Sequence, residues 1–177
     1  ACTPYGDNQT LTGNSYAFRP YFKESFSKGK SKFYPAIGVT TGEIGFYFSQ
    51  PILNNDKISG VLVIKSSLDA IQEKLNIFPY PTALVSEKGI IIASNQPGWI
   101  LKTAYPLSDE DRKILKESKQ FSDEPLPDLG VNLLNPININ NVNYSIIKGQ
   151  PFFGQLQLIT LQPQSSPVLL SVITIVL

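Results

Sequence analysis

The stretch from Asn14 to Phe22 reads Asn-Ser-Tyr-Ala-Phe-Arg-Pro-Tyr-Phe and places one guanidinium, that of Arg19, among four aromatic rings. Arginine keeps its positive charge because its pKa is above about 12. The charge therefore needs a carboxylate, a phosphate, backbone carbonyls or the face of a ring as its partner. Two interpretations are open. Arg19 stacks on the rings and caps the C-terminus of a helix, or it is a preformed site for an anion.

The composition is typical of a folded chain with one or two domains. Of the 177 residues, 42% are hydrophobic and 16% are charged, which gives enough apolar material for a packed core. The net charge is +1, and no basic stripe accompanies a nucleic-acid-binding motif. The sequence therefore gives no basis for nucleic-acid binding.

The side chains that many enzymes depend on are absent or rare. There is no histidine, and Cys2 is the single cysteine. The chain therefore cannot form a Ser-His-Asp or Cys-His arrangement, a histidine metal site or an internal disulfide. The acidic residues also lack the spacing of a paired-carboxylate site. We predict no catalytic residue, metal site or cofactor in this segment.

The first part of the chain has the pattern of a short helix followed by an antiparallel sheet. The helix is predicted to begin near Pro20, which suits a first helical turn, and to end at Gly29. The third strand carries Lys65 at the end of a run that otherwise reads as buried. A second helix follows, with Ser67 as its N-cap. The strands are predicted at 33–40, 44–52 and 58–66, and the second helix at 68–75.

The second part repeats this theme after the stiff sequence Phe78-Pro79-Tyr80-Pro81. A polar helix is predicted over 107–120, because the acids at its start lie where the helix dipole favours negative charge. Trp99 is interpreted as a packing residue. Strands are predicted at 82–86, 90–94, 142–148 and 153–161, with a loop over 122–136.

Together these patterns predict an α+β fold of two tandem modules, each an antiparallel sheet with flanking helices. The first module is placed at 1–78 and the second at 79–162. Residues 163–177 end in an apolar run of ten residues, about half of the roughly 20 that a membrane-spanning helix needs. They are interpreted as the start of a truncated transmembrane helix, with a buried terminal strand as the alternative.

The sequence resembles the sensor region of bacterial C4-dicarboxylate sensor histidine kinases of the DctB type over about 14–161. The second part contributes Ser86-Glu87-Lys88-Gly89-Ile90-Ile91, Ser94, Trp99 and Pro106-Leu107-Ser108. The first part contributes Ser15-Tyr16-Ala17-Phe18-Arg19-Pro20-Tyr21-Phe22, Ala36-Ile37-Gly38-Val39-Thr40-Thr41-Gly42 with Gly45-Phe46-Tyr47, and Gly60-Val61-Leu62-Val63-Ile64-Lys65.

This resemblance implies a tandem PAS-like sensor, a double Cache domain, in the periplasm of a bacterial inner-membrane protein. The family binds succinate, fumarate or malate in its membrane-distal module and signals through a cytoplasmic kinase. Carried over to this sequence, Arg19 and Lys65 are the two cations that hold the two carboxylates. The residues assigned to the ligand are Tyr16, Arg19, Thr40, Thr41, Tyr47 and Lys65.

Electrostatics agrees with this assignment. A four-carbon dicarboxylate carries two negative charges a few ångströms apart, so it needs two separated cations. Arg19 offers planar bidentate geometry, whereas Lys65 acts as a movable point charge. One such pair at about 4 Å is worth roughly 4 kcal/mol at an effective dielectric of about 20, before desolvation. The alternative for Lys65 is a strand-end lysine that reaches water.

The sequence also departs from the family pattern. Thirteen loop-like residues stand where the family has a long N-terminal helix, and that helix is interpreted as missing. The phosphoacceptor histidine is expected outside this segment, in a parent kinase. The resemblance further implies a homodimer, a response regulator as the partner of the kinase, and a dicarboxylate transporter as a further partner.

Two other functions are considered. The same fold occurs in chemoreceptors and diguanylate cyclases that sense another carboxylate or an amino acid. An amino-acid site requires an acid for the ammonium group, and the candidate stretch offers Glu24 and Glu43. The other possibility is an interaction module whose pocket is vestigial.

Overall fold

The computed structural model describes residues 13–121, 125–153 and 155–164. In this part of the chain three α-helices accompany two β-sheets, one of three strands and one of five. The α+β class predicted from the sequence is confirmed. The helices are α1 (Pro20–Lys28), α2 (Asp69–Asn76) and α3 (Asp109–Ser118). The strands are β1 (Lys32–Ile37), β2 (Ile44–Asn54), β3 (Lys57–Ser66), β4 (Thr82–Ser86), β5 (Ile91–Ser94), β6 (Ile137–Ile139), β7 (Val142–Lys148) and β8 (Leu156–Pro163).

Helix α1 begins and ends where the sequence predicts. Pro20 occupies the first turn, where its missing N–H costs no hydrogen bond, and Gly29 ends the helix with a φ of 64°. Arg19 is the N-cap residue of this helix and has an extended backbone. The interpretation of Arg19 as a C-terminal cap is therefore wrong, because its side chain belongs to the opposite end of the helix.

The three-stranded sheet has the strand order β1-β2-β3. A two-residue turn joins β2 to β3, and both of its residues, Asn55 and Asp56, have positive φ angles, as hairpins of this kind require. Within the described chain β3 is an edge strand, and Leu62 and Ile64 are exposed. The prediction of a buried run before Lys65 is therefore wrong.

Helix α2 begins one residue later than predicted. Its N-cap residue is Leu68, and no side chain caps the helix, so the assignment of Ser67 as the N-cap is wrong. Asp69 lies in the first turn instead. A carboxylate in this position interacts favourably with the helix dipole, which explains a start without a hydroxyl cap.

The five-stranded sheet is antiparallel and has the strand order β5-β4-β8-β7-β6. The three-residue strand β6 was not predicted; it is joined to β7 by a turn in which Asn140 and Asn141 have positive φ angles. Trp99, the last residue of the short 3-10 helix Pro97–Trp99, packs against the core of this sheet, as predicted for that residue. The buried members of this core are Ala83, Val85, Ile91, Ala104, Leu133, Ile159 and Leu161.

The chain forms two compact units. Among the described residues, the first unit comprises 13–34 and 47–64, and the second comprises 35–46 and 65–164. In the second unit the residue Gln120, which follows α3, holds the end of β1. The side-chain Nε2 of Gln120 donates to the carbonyl of Pro35 at 2.8 Å. The backbone carbonyl of Gln120 accepts from the N–H of Ile37 at 2.8 Å. The tandem arrangement with a boundary after Phe78 remains a prediction.

The predicted truncated helix at 163–177 lies outside the described residues, apart from its first two positions. Among the residues that the structure does describe, every helix is too short or too polar to cross a membrane.

Candidate functional site

Arg19 is the only charged side chain that is buried among the described residues; 2% of it is exposed. Its guanidinium carbon lies 5.3 Å from the centroid of the Phe18 ring. The backbone places it there, because the Arg19 N–H donates to the carbonyl of Tyr16 at 3.0 Å and the Arg19 carbonyl accepts from Lys23 at 3.0 Å. A buried cation is costly unless acceptors or anions match it.

Aromatic rings of the first unit pack beside this helix start. Tyr21 is the residue after Pro20, and its ring stacks on that of Tyr47 at 5.3 Å with an interplanar angle of 5°. The Tyr21 ring also makes an edge contact with Tyr34 at 5.8 Å. Tyr47 is therefore a core residue of this unit. Its assignment to the ligand was not tested and stays a prediction.

Buried hydroxyls fix helix α1 within the first unit. Ser25 Oγ and Ser49 Oγ are 2.8 Å apart, and Ser49 Oγ donates toward the carbonyl of Tyr21 at 3.1 Å. Ser25 Oγ also donates to the carbonyl of Lys30 at 2.8 Å. Because these polar groups satisfy one another in the interior, they define the position of the helix that carries Arg19.

In the second unit, a tight turn over 38–43 presents the two candidate threonines. The Gly38 N–H donates to the carbonyl of Glu43 at 2.9 Å, and the Gly42 N–H donates to the carbonyl of Gly38 at 2.8 Å. Gly42 has a φ of 70°, which favours glycine. Thr40 and Thr41 lie between these glycines and are exposed.

Lys65 reaches this turn from β3. Its ammonium Nζ donates to Thr41 Oγ1 at 2.7 Å and lies 3.6 Å from Glu43 Oε2. Thr41 Oγ1 also accepts from the N–H of Glu43 at 3.3 Å. A hydroxyl has two acceptor positions and one proton to donate. With both acceptor positions engaged, the Thr41 proton is the part of the group that an anion could use.

The six candidate residues thus divide between the two units. Tyr16, Arg19 and Tyr47 belong to the first, and Thr40, Thr41 and Lys65 belong to the second. In the second unit, the structure brings Lys65 and Thr41 into direct contact. Arg19 and Tyr16 are joined through their backbones in the first.

Two residues beside Lys65 were given no binding role from the sequence. Glu43 was weighed only as a partner for an ammonium group, and it pairs with Lys65 instead. Gly45 lies in β2, where a Cβ atom would be 2.8 Å from Lys65 Cε and 2.9 Å from the carbonyl oxygen of Ser66. A glycine inside a strand often marks such a close approach, so the sequence did carry a signal.

A separate polar cluster at the start of α3 is structural. The Lys88 ammonium donates to Asp111 Oδ1 at 2.6 Å, and this hydrogen bond raises the pKa of Lys88 and lowers that of Asp111. Ser108 is the N-cap, and its Oγ accepts from the N–H of Asp111 at 3.1 Å. Burial raises the pKa of Tyr105 nearby. These contacts join the turn after β4 to helix α3.

A cavity of about 260 Å³ lies beside α3. It contains none of the six candidate residues. The basic residues that line the cavity belong to α3, which also carries four acidic residues. Among these basic residues, Lys113 lies 3.9 Å from the carboxylate of Glu117. The residues that line it are Leu107, Arg112, Lys113, Leu115, Lys116, Phe121, Pro125 and Leu126.

Comparison with known proteins gives relatives of one kind. The C4-dicarboxylate transport sensor protein DctB of Rhizobium meliloti is 27% identical over 126 residues, which are 71% of this chain and 20% of that protein. The protein of the same name from Pseudomonas aeruginosa is 30% identical over 98 residues, or 55% of this chain and 16% of that protein. The chain thus matches about a fifth of the length of these relatives. No protein-family model matches the sequence.

Solved structures agree on the fold. The sensor domain of the Vibrio cholerae histidine kinase DctB has a TM-score of 0.73 at 24% identity and covers 89% of this chain and 64% of its own. The ligand-binding domain of the Pseudomonas fluorescens chemoreceptor CtaA, in complex with L-alanine, has a TM-score of 0.57 at 16% identity, with coverages of 90% and 66%.

The chain therefore shares its fold with these two solved domains. The sequence relatives and the solved structure agree, since each of them is a sensor protein or sensor domain named DctB to which this chain is similar. This confirms the family resemblance read from Ser15–Phe22 and the strands that follow.

Proposed function

We propose that this chain is a periplasmic sensor domain that binds C4-dicarboxylates such as succinate, fumarate and malate. The single observation that carries the proposal is the burial of Arg19 at the N-terminus of α1. A guanidinium presents paired N–H donors that match the two oxygens of a carboxylate. The first turn of α1 contains no acidic residue.

Lys65 and Thr41 are proposed as the second cation and its hydroxyl partner. Their contact of 2.7 Å supplies one positive charge and one neutral donor in the second unit. Thr40, Tyr16 and Tyr47 complete the proposed set through hydroxyl and backbone donors.

The competing proposal is a chemoreceptor-like sensor of amino acids, since the CtaA domain was solved with L-alanine. An ammonium group would need an acid that is not already neutralised. Glu24 lies 3.5 Å from Lys32, and Glu43 lies 3.6 Å from Lys65. Because both acids already face a lysine, the dicarboxylate is favoured.

The test is isothermal titration of the 177-residue chain with succinate, fumarate, malate, alanine, asparagine and aspartate. We expect the three dicarboxylates to bind. Arg19→Lys keeps the positive charge and removes the paired N–H donors of the guanidinium. It should therefore weaken binding by roughly ten-fold or more, as expected for the loss of a hydrogen bond between charged groups. The control is Arg112→Lys, which changes the other arginine of the chain, an exposed residue of α3, and should leave affinity unchanged.

The other outcomes are equally informative. Binding of amino acids alone would support the chemoreceptor-like alternative. A well-folded chain that binds nothing in the panel would support an interaction module with a vestigial pocket. Equal binding by Arg19→Lys and wild type would remove Arg19 from the site.

Two finer assignments belong to the same proposal. The ligand-binding, membrane-distal module is assigned to 1–78 and a membrane-proximal module to 79–162, which is supported by the occurrence of the two sheets on either side of Pro79 and Pro81. Amide hydrogen exchange should then show ligand-dependent protection in β1, β2 and β3 and none in β4 and β8. Protection spread evenly over both sheets would contradict the boundary.

The parent protein is proposed to be a homodimeric inner-membrane histidine kinase that acts on a response regulator, with a dicarboxylate transporter as a further partner. The relatives are named C4-dicarboxylate transport sensor proteins and the solved Vibrio cholerae DctB is named a histidine kinase, which supports the sensor and kinase parts of this assignment. Phosphorylation of the full-length parent in membranes, measured with labelled ATP, should change when succinate is added. No phosphorylation under either condition would contradict the kinase assignment.

A further inference from the structure

The surroundings of Lys65 hold a feature that the binding proposal does not use. Its ammonium faces one neutral acceptor, Thr41 Oγ1 at 2.7 Å, and one carboxylate, Glu43 Oε2 at 3.6 Å. The Lys65 side chain is 29% exposed and that of Glu43 is 77% exposed. The carboxylate of Glu43 is therefore the more solvated member of the pair, whereas the Lys65 ammonium is partly enclosed.

The path of the Lys65 side chain depends on Gly45. A Cβ atom at this position would lie 2.8 Å from Lys65 Cε, a distance that real Cβ atoms essentially never show. It would also lie 3.2 Å from Lys65 Cγ, which is tighter than most real Cβ contacts. The aliphatic stem of the lysine thus crosses the strand where a side chain is missing. Any larger residue at 45 has to displace the Lys65 stem, the Ser66 carbonyl or both.

We infer that the Glu43 carboxylate pairs with the Lys65 ammonium in the absence of ligand and that a ligand carboxylate replaces it on binding. Gly45 holds Lys65 in the position that allows this exchange. This inference rests on the proposed dicarboxylate function. Binding then replaces one ion pair with another, so the turn over 38–43 loses its link to Lys65 through Glu43 when the ligand arrives. Glu43 lowers the affinity and thereby sets the concentration range that the domain senses.

The first test is succinate titration of Glu43→Gln. Removal of the competing charge should tighten succinate binding, by up to about five-fold, the range that exposed ion pairs reach. Glu24→Gln is the matched control, because Glu24 faces Lys32 at 3.5 Å in the first unit. Its affinity should equal that of the wild type. Unchanged or weaker succinate binding by Glu43→Gln would overturn the inference.

The second test is Gly45→Ala, which should weaken succinate binding by about ten-fold or more, since it costs a charged hydrogen bond. Gly60→Ala is the control, because a Cβ atom at Gly60 meets only Ile52 Cδ1, at an ordinary 3.7 Å. Affinities are taken from the binding-competent fraction in each titration. A loss of folded protein is thereby separated from a loss of affinity.

A double-mutant cycle distinguishes positioning of Lys65 from general strand damage. In a Lys65→Gln background, Gly45→Ala should change succinate affinity by less than about two-fold, because the group that it positions is already gone. Full additivity of the two changes would overturn the role of Gly45. The cycle is informative even if Gly45→Ala also lowers the melting temperature through the close carbonyl of Ser66.

Failure of the inference and failure of the proposed function give different results. If wild type binds succinate and Glu43→Gln binds it no more tightly, the inference is wrong and the proposed function stands. If wild type binds only amino acids and Glu43→Gln weakens that binding, Glu43 is an ammonium partner. In that case both the proposed function and the inference are wrong.

Discussion

The two sheets of this protein are surrounded by different chemistry. Beside the three-stranded sheet, the buried polar groups include a guanidinium, Arg19, and the hydroxyls of Ser25 and Ser49. In the five-stranded region, every buried polar residue that the structure describes is a neutral serine or threonine, and the core is aliphatic. The difference teaches that the buried charge of the described chain lies beside the first sheet, whereas the second sheet has the content of a structural core.

The largest expected effect is a loss of stability caused by a substitution in the core of the five-stranded sheet. Leu161 of β8 is fully buried, so Leu161→Ala should lower the free energy of unfolding by about 2–5 kcal/mol through lost burial and the cavity left behind. Succinate affinity of the folded fraction should not change. Urea unfolding measures the first quantity and calorimetric titration the second.

The control for this prediction is Leu134→Ala, because Leu134 is exposed in the same unit. It should change the free energy of unfolding by less than about 0.5 kcal/mol. A large loss of succinate affinity in folded Leu161→Ala would mean that the second sheet takes part in binding, and the contrast between the sheets would be wrong.

A smaller effect is expected at the basic end of β3. Lys65→Gln removes the cation that contacts Thr41, so succinate binding should weaken by about ten-fold or more, as for other hydrogen bonds between charged groups. Lys57→Gln changes the exposed lysine at the opposite end of the same strand and should bind like the wild type. Equal affinities for both variants would make Lys65 a solvated strand-end lysine.

The smallest effect concerns the polar cluster of α3, which we expect to act on stability alone. The hydrogen bond from Lys88, followed by that from Ser108, lowers the pKa of the Asp111 carboxyl below its ordinary value of 3.8. A carboxyl group with a lowered folded-state pKa contributes stability above its unfolded pKa, and this contribution is lost as the pH falls through the folded value.

The melting temperature of wild type should therefore exceed that of Asp111→Asn near pH 6, and the gap should close as the pH approaches 3. Asp109→Asn, which changes another acid of the same first turn, controls for the interaction with the helix dipole. A gap that is independent of pH would show that the Asp111 charge does not contribute. Succinate affinity should be unchanged in both variants at pH 7.

Much of the fold was predictable because local rules decide it. Pro20 and Gly29 define the ends of α1, and the strands β4 and β7 follow runs of apolar residues with clear turn signals. The errors occur where tertiary context decides. The apolar run of β3 reads as buried, yet it lies at the edge of the described sheet. The short strand β6 exists because it pairs with β7, and three residues carry too little pattern to indicate this.

The candidate site was predictable in its residue types and not in its geometry. The sequence around Arg19 left an anion site and a helix C-cap as alternatives, and it could not reveal the burial of this residue. The contact between Lys65 and Thr41 joins positions 24 residues apart. The packing of the Lys65 stem over Gly45 depends on the pairing of β2 with β3, which no local pattern specifies.

The most direct test of the central claim is a crystal structure of the chain grown with succinate. The account predicts one succinate carboxylate with its oxygens at about 2.7–2.9 Å from the Arg19 guanidinium nitrogens, the distance of charge-assisted hydrogen bonds. Succinate bound elsewhere, with the Arg19 guanidinium contacting protein groups alone, would contradict the account.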